Sequence, residues 1–368
     1  MKRAYILNLT VLLLLIPLLM LATTYQAVSS YIISAQHQRM LIERQYFSIT
    51  TIQDDLKNIA DLSFRRAYLT LNEYVINNDF VNNASHVLEE LMKYGTINGA
   101  PQSTMGNVTL EEWFINVKSY LNSLGMSIEP SDPDSFLKDH LEITIGPLDS
   151  FHIAVMLKVK NVTIVDSSGI VRYSGDIPPG EGDYIYSTIS IVGFEDPFIV
   201  RKLNGLYTRV ITPCKIPFPG EVYGYYDPSN PDDIENLALD WCYVGIPDNS
   251  SAGMYYPTIL ERFEGRIDPI QHRYYLTLAE MFKRKLGYTQ ELPVGLVTFL
   301  VPGPDTDPTL LGALTSLGVS VPDSYTSVSY YFLRCVIDNA ECKSGEAVSD
   351  EYPSFKLDNA TYSLIFGG

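Results

Sequence analysis

The segment MKRAYILNLTVLLLLIPLLMLATTY (Met1–Tyr25) is the most informative part of this sequence. Lys2 and Arg3 precede 21 consecutive residues, Ala4–Thr24, that carry no charge. A helix of about 20 apolar residues is long enough to span a bilayer, whereas a cleavable secretory signal has an apolar region of about 7–15 residues. Residues 5–24 are therefore predicted to form a transmembrane helix that the mature protein retains.

The distribution of basic residues predicts which side of the membrane each part of the chain occupies. After Lys2 and Arg3, the next Lys or Arg is Arg39. Because positive residues favour the cytoplasmic side, we expect a single-pass cell-membrane protein with its N-terminus in the cytoplasm and its C-terminal ectodomain outside the cell. Glycosylation sequons agree with export, and they begin at Asn83, Asn107, Asn161, Asn249 and Asn359.

A long helix is predicted to follow the membrane segment. No glycine or proline, the residues that most strongly interrupt helices, occurs in the 77 residues from Leu18 to Tyr94. If the helix continues to Asn77, it is about 100 Å long. It carries an apolar face that packs either on the protein's own head or on neighbouring copies, and this face comprises Ile42, Tyr46, Ile49, Ile52, Leu56 and Ile59.

Two shorter helices complete the predicted helical region, residues 25–126. The segment Asn77–Ser85 is rich in Asn and Asp, which favour turns, and we expect it to separate the stalk from a second helix that ends at Gly95. In the third helix, Thr109 and Glu112 have capping-box spacing and Gly125 follows the last turn.

Residues 140–212 are predicted to form an antiparallel sheet domain. Segments rich in Val, Ile and Tyr alternate with turns there; Asp166–Gly169 is a tight turn, and Asn204-Gly205 is a type I′ hairpin signal. The segments are LEITI, FHIAVMLKVK, VTIVD, GIVRYSG, YIYSTISIVGF and PFIVRKLNGLYTRVI. The predicted fold class is α+β, with a transmembrane helix, a helical stalk and a β-rich extracellular head.

The C-terminal region, residues 213–368, has a more irregular pattern. Helices are predicted within Pro257–Gly265 and His272–Gly287. Buried or closing strands are predicted within three apolar runs, which are Gly295–Gly303, Ser329–Ile337 and Ala360–Phe366.

All four cysteines lie in this C-terminal region. An even number of cysteines in an exported head predicts two disulfides. Local pairing, Cys214–Cys242 and Cys335–Cys342, is the simplest of three connectivities.

The chain has no pattern typical of an enzyme or a cofactor-binding protein. Its five histidines form no HExxH motif, and neither a GxSxG elbow nor a phosphate-binding Gly-rich loop is present. Glu261 and Glu264 flank Phe263, and this spacing predicts that Phe263 packs inward while both carboxylates face water. We therefore expect no enzyme activity, no catalytic site and no cofactor. A net charge of −17 also opposes binding to nucleic acid.

Calcium is the one metal for which the sequence offers carboxylate pairs. These pairs do not follow the EF-hand pattern, and the proline residues between them favour solvated loops, so the prediction is no metal site. The groups are Asp132 with Asp134, Asp227 with Asp232 and Asp233, and Asp305 with Asp307.

The N-terminal segment KRAYILNLTVLLLLIPLLML, followed by an uninterrupted helical pattern, resembles the start of archaeal type IV pilin-like proteins. In that family a leader peptidase removes a short basic leader that ends in Arg or Lys before Gly or Ala. Arg3-Ala4 followed by Tyr5 matches this position, so the resemblance implies a short leader over residues 1–4. Pro17 matches the helix kink of many pilins. The tracts DLSFRRAYLTLNEYV, FEDPFIVRKLNG and YYPTILERFEG are similar to segments of large archaeal surface proteins with pilin-like N-termini.

The resemblance implies a structural or adhesive surface protein whose partners are the membrane and other pilin-like subunits. A four-residue leader and a large ectodomain favour a minor pilin or pseudopilin. The alternative is an extracytoplasmic ligand-binding or sensor ectodomain of the Cache type, in which an anchor and a long helix also precede strands such as VTIVDSSGIVRYSG. That class normally returns through the membrane, and this chain has no second apolar segment of spanning length, so the sensor ranks second.

Overall fold

The computed structural model describes the chain in eight ranges, which are residues 2–215, 217–218, 222–223, 241–248, 254–340, 342–348, 350 and 353–366. The fold is α+β with antiparallel sheets, as predicted. The chain divides into two compact units: unit 1 is Met1–Leu56, Phe114–Leu141 and Val159–Asp183, and unit 2 is Lys57–Trp113, Glu142–Lys158 and Tyr184–Gly368.

The N-terminal helix α1 runs without interruption from Lys2 to Asn77, with Pro17 inside it. The prediction of one helix through the apolar segment and beyond is confirmed. The apolar side chains of Val11, of residues 13–16 and of residues 18–21 have exposed fractions between 48% and 71%. The helix contains an 18-residue window with a mean hydropathy of 1.5 that is 0% buried, so α1 is long and apolar enough to cross a membrane.

Helix α1 ends at Asn77, as predicted, and a second helix follows it. Asn83 lies before helix α2 (Ala84–Tyr94), and its side chain accepts a hydrogen bond from the His86 amide, which caps the first turn. Gly95 has φ of 71° and closes α2 in the left-handed conformation that glycine adopts without strain.

The buried face of α1 in unit 1 differs from the predicted one. Ile52 and Leu56 are buried, but Ile42 and Tyr46 are exposed, and the buried positions one turn earlier are Gln45 and Ser48. Gln45 Nε2 donates a hydrogen bond of 2.8 Å to the Ile164 carbonyl, which satisfies its amide inside the core. The buried face of this part of α1 therefore includes polar side chains whose hydrogen bonds are satisfied inside the protein. The spacing of apolar residues does not predict such a face.

Unit 1 combines the first part of α1 with short helices and strands. Phe114 and Phe136 stack in its core with ring centroids 3.9 Å apart. The elements are the part of α3 (Leu110–Ser123) that starts at Phe114, β3 (Met126–Glu129), α4 (Pro133–Ser135), a π-helical turn (Phe136–His140) and β6 (Arg172–Ile177). The start of α3 belongs to unit 2, and there Thr109 Oγ1 accepts a hydrogen bond from the Glu112 amide, which is one of the two bonds of a capping box.

The predicted antiparallel sheet is present and has five strands, of which β5 is the central one. The tracts FHIAVMLKVK and VTIVD form this single strand, His152–Asp166, with an irregular register between Val159 and Val162. Its unit 1 residues pair with β3 and β6, whereas its unit 2 residues pair with β7 (Ile185–Ser190) from His152↔Ser190 to Leu157↔Ile185. The remaining strand is β4 (Leu141–Asp149). The tight turn at Asp166–Gly169 is also confirmed.

Three segments predicted as strands are helices, so those predictions were wrong. They form α5 (Pro197–Lys202), α9 (Ser329–Asp338) and α10 (Asn359–Phe366). A short apolar run does not distinguish a buried strand from a buried helix, because neither leaves a polar side visible in the pattern. Asn204-Gly205 forms the turn that follows α5, with the Gly205 amide bonded to the Val200 carbonyl, and is not a hairpin turn.

The rest of unit 2 packs helices around small sheets. The predicted helices are α6 (Ile259–Glu264) and α7 (Pro269–Lys285), and α8 (Pro308–Ser316) is an additional one. Of the predicted strand Gly295–Gly303, residues Gly295–Val297 form β11, which pairs with β10 (Val244–Ile246). Six further strands have two residues each: β1 (Thr96–Ile97), β2 (Ala100–Pro101), β8 (Pro217–Phe218), β9 (Val222–Tyr223), β12 (Glu346–Ala347) and β13 (Lys356–Leu357).

Candidate functional site

Helix α6 carries three charged side chains into the interior of unit 2. Glu261 and Arg262 are 0% exposed and Glu264 is 5% exposed. The prediction that Glu261 and Glu264 face water was therefore wrong, although Phe263 is buried as expected. Because a six-residue helix can be surrounded on all sides, the spacing of its one aromatic residue does not identify an exposed face.

Arg262 forms a buried ion pair with Asp196. Its Nη1 donates to Asp196 Oδ2 at 2.5 Å, and both side chains are 0% exposed. Tyr243 donates its hydroxyl to the same carboxylate oxygen at 2.8 Å. Asp196 Oδ1 accepts the amide of Phe198 at 3.0 Å and so caps helix α5. The carboxylate thus joins three segments that are distant in sequence.

His272 lies between two carboxylates. Its Nδ1 is 2.8 Å from both oxygens of Glu261, and its Nε2 contacts Asp248 Oδ2. An ionised carboxylate only accepts hydrogen bonds, so both ring nitrogens carry a proton and the ring is an imidazolium. Burial opposes this charge, but the bonds to Asp248 and Glu261 outweigh it and raise the pKa of His272 to about 9.

Glu264 connects helix α6 to the start of α2. Its Oε1 accepts the Ala84 amide at 3.0 Å and the Tyr275 hydroxyl at 2.6 Å. Burial raises the pKa of Glu264 to about 7, against the lowering effect of these two hydrogen bonds.

These buried charges are shielded from solvent. The side chains of Arg262, Glu261 and His272 are 0% exposed and are held by protein partners. A reactant in solvent cannot touch them without local unfolding. Removing one partner of such a pair is costly, because it leaves an uncompensated charge in the interior.

One of the clefts of unit 2 lies beside Trp241. It has a volume of about 270 Å³, near the lower end of small-molecule sites. Trp241 stands at its rim with an exposed fraction of 46%, and its backbone has φ of 51°. The lining residues are Tyr207, Thr208, Arg209, Val210, Trp241, Asp307 and Thr309.

The floor of this cleft is a neutral polar cluster. Arg209 Nη2 donates to the Tyr207 hydroxyl at 2.7 Å and lies 3.3 Å from Asp307 Oδ2, and Tyr207 donates to that oxygen at 2.6 Å. Arg209 Nη1 also donates to Thr298 Oγ1 and to the Phe299 carbonyl. The charges of Arg209 and Asp307 therefore compensate each other.

The structure joins the cysteines in the local pairs, Cys214–Cys242 and Cys335–Cys342. Cys214 and Cys242 belong to an apolar cluster with Val244, Val297 and Phe299. This disulfide therefore lies in the core of unit 2.

The structure describes four of the five predicted sequon asparagines and the backbone of the predicted leader-processing residues. Four sequon asparagines are exposed, namely Asn83, Asn107, Asn161 and Asn359. Asn249 lies outside the described residues. Arg3, Ala4 and Tyr5 lie within the backbone of α1.

The carboxylates considered for calcium have other partners where the structure describes them. Asp132 caps α4, and Asp134 pairs with Lys138. Asp307 is buried, caps α8 and contacts Arg209, so the expectation of a plain solvated loop was wrong for this residue. Asp227, Asp232 and Asp233 lie outside the described residues. Within the described ranges, no group of three or more His, Cys, Asp or Glu is arranged to hold a metal ion.

Comparison with protein-family models, curated proteins and solved structures found no match to this chain.

The sequence did not reveal the roles of Asp196 in the buried ion pair and of Asp307 in the cleft, and Asp307 was considered only as a calcium ligand. Asp196, Asp268 and Asp307 each precede a proline and cap the helix that begins there. Asp-Pro at a helix start was a usable signal, because Asp favours the N-cap and proline the first helical position. No local sequence pattern identified Arg262, which pairs with Asp196, or Trp241, which lies at the rim of the cleft.

Proposed function

We propose that this chain is a membrane-anchored extracellular protein with a structural or adhesive role, acting as a minor pilin or pseudopilin of an archaeal type IV pilus-like system. The observation that most strongly supports this proposal is that α1 is one uninterrupted helix. The helix passes from exposed apolar residues at 13–16 and 18–21 to residues packed into the fold from Ile52 onward. One rigid element can therefore hold a folded ectodomain while its apolar end packs in lipid or in a filament core.

Other observations support the location outside the cell. Disulfides persist in oxidising compartments, and both cysteine pairs are joined. Four sequon asparagines are accessible at the surface. The cleft beside Trp241 also suits the second candidate, an anchored ligand-binding ectodomain of the sensor type.

The first prediction concerns the N-terminus of the mature protein. If a prepilin peptidase cleaves after Ala4, mass spectrometry of protein purified from native membranes should detect a chain that begins at Tyr5. A chain that begins at Met1 indicates a plain anchor. A start beyond Ala22 indicates a secreted protein and contradicts the proposal.

The second prediction concerns assembly. Asn8 can hydrogen-bond across neighbouring helices, where such polar groups contribute about 1 kcal/mol, and Pro17 removes one helix hydrogen bond and permits bending. The double variant Asn8→Leu, Pro17→Leu should insert into membranes normally but enter sheared surface filaments much less than wild type does.

The conservative variant Leu14→Ile is the matched control, because it changes the same apolar segment without altering polarity or backbone bonding. It should enter the sheared fraction like wild type. Absence of wild-type protein from that fraction would rule out the pilin role and favour the anchored ligand-binding ectodomain.

A further inference from the structure

We propose that the cleft beside Trp241 binds a neutral carbohydrate, with the indole as a stacking platform and the polar floor and rim as hydrogen-bonding partners. This inference deepens the adhesive role proposed above and rests on it for its biological meaning. All residues that line the cleft belong to unit 2.

The charge balance of the floor selects a neutral ligand. Arg209 and Asp307 have exposed fractions of 5% and 2%, and their charged groups are 3.3 Å apart. Arg209 already donates to Tyr207, Thr298 and the Phe299 carbonyl. An anionic or cationic ligand would have to break this cluster to gain a partner, whereas a hydroxyl group can bond to its outer atoms without a change in charge.

The rim has the chemistry that a sugar ring requires. A pyranose has C–H groups on its faces and hydroxyl groups around its edge. The C–H groups pack on the negative face of an indole, and Trp241 is 46% exposed at the cleft. Thr208 and Thr309 are exposed on the same cleft, and each hydroxyl can donate and accept hydrogen bonds.

The backbone of Trp241 is unusual for its residue type. A φ of 51° lies in the left-handed region, which a bulky side chain rarely adopts. Such positions persist where the surrounding structure enforces them, and they are concentrated at binding sites. The next residue, Cys242, is tied by the disulfide to Cys214, which anchors this conformation to the core.

The size of the cleft limits the ligand. A volume of about 270 Å³ suits one sugar ring or the terminal ring of a longer chain. We therefore expect a terminal residue of a surface glycan to occupy the cleft and the rest of the glycan to extend into solvent.

The two tryptophans of the chain allow a specific measurement. Trp113 is buried with an exposed fraction of 5%, so a change in fluorescence on adding a sugar reports on Trp241. The probes are the methyl glycosides of glucose, galactose, mannose and N-acetylglucosamine, added to the purified full-length chain in detergent. We expect a saturable change with at least one probe, with a dissociation constant near or below about 1 mM.

Variants of the cleft test the geometry, with binding measured by saturation-transfer NMR. Trp241→Ala should weaken binding by at least about ten-fold, whereas Trp241→Phe should retain part of the affinity because it keeps an aromatic face. Thr309→Val should weaken binding by a few-fold. Tyr288→Ala is the matched control, because Tyr288 is 47% exposed and does not line this cleft, and it should bind like wild type.

Two results overturn the proposal: no saturable response to any probe up to about 10 mM, or equal affinity in Trp241→Ala and wild type. Circular dichroism of each variant identifies any that has not folded, in which case Thr309→Val on the exposed rim decides the test. Because the assay uses purified protein, its outcome is independent of leader cleavage and of filament shear. A failure here is thus distinguishable from a failure of the pilin role.

Discussion

Replacing Arg262 with methionine is expected to lower the free energy of unfolding by about 3–5 kcal/mol, because it leaves the carboxylate of Asp196 buried without its counter-charge. Methionine fills similar space, so the loss reports mainly on the charge. The measurement is urea unfolding of the full chain in detergent, followed by the fluorescence of buried Trp113.

The matched control is Arg65→Met. Arg65 forms an ion pair of 3.1 Å with Asp61, but both side chains are about half exposed, so the same substitution should cost less than about 1 kcal/mol. Adding Asp196→Asn to Arg262→Met removes both buried charges and should recover part of the loss, since asparagine still caps α5. If Arg262→Met is no more destabilising than Arg65→Met, the ion pair does not hold the fold.

The second large effect is a loss of stability as the pH rises from about 6.5 to 9. The pKa of His272 is about 9 in the folded chain and 6.5 in its ordinary state, so the folded protein binds an extra proton between these values. Its contribution is complete below pH 6.5 and is lost as the pH rises through 9. We expect a decrease on the order of 2 kcal/mol in the free energy of unfolding across this window.

Two variants assign this pH dependence to its source. His272→Gln should remove most of the decrease between pH 6.5 and 9. His152→Gln is the control: the hydrogen bond to Asp149 raises the pKa of His152 in the same direction, but this ring is partly exposed, so most of the decrease should remain.

Glu264 affects the free energy of unfolding over a lower pH range than His272 does. Its pKa is about 7 in the folded chain against an ordinary 4.5, so its contribution is lost between these values as pH rises, and Glu264→Gln should remove only that part. A wild-type stability that stays constant from pH 6.5 to 9 would contradict the imidazolium assignment.

Long elements with strong local signals were predictable from the sequence. Helix α1 lacks glycine and has one proline, and it was recognised over most of its length. Strands β4 to β7 of the five-stranded sheet were recognised because Val and Ile runs are separated there by turns, such as that at Asp166–Gly169. Strand β3 (Met126–Glu129) was not predicted.

Short apolar runs were not predictable in the same way. Ser329–Ile337 and Ala360–Phe366 contain Val, Ile, Phe and Tyr and were read as strands, but they form α9 and α10. Helix α10 begins after Asp358, whose Oδ1 accepts the amides of Ala360 and Thr361. That cap is a local signal that outweighed β-propensity, which depends strongly on context.

The sequence by itself was sufficient to predict the apolar N-terminal helix, its end near Asn77 and the α+β class. These features depend on hydrophobicity and backbone propensity, which act between residues that are neighbours along the chain. The buried charges and the cleft could be identified only from the tertiary structure, because both are formed by residues that are distant in sequence. Arg262 reaches Asp196 across 66 positions, and Arg209 reaches Asp307 across 98. A charged residue is read as exposed until its partner is known, since burial becomes tolerable only when folding brings that partner within hydrogen-bonding distance.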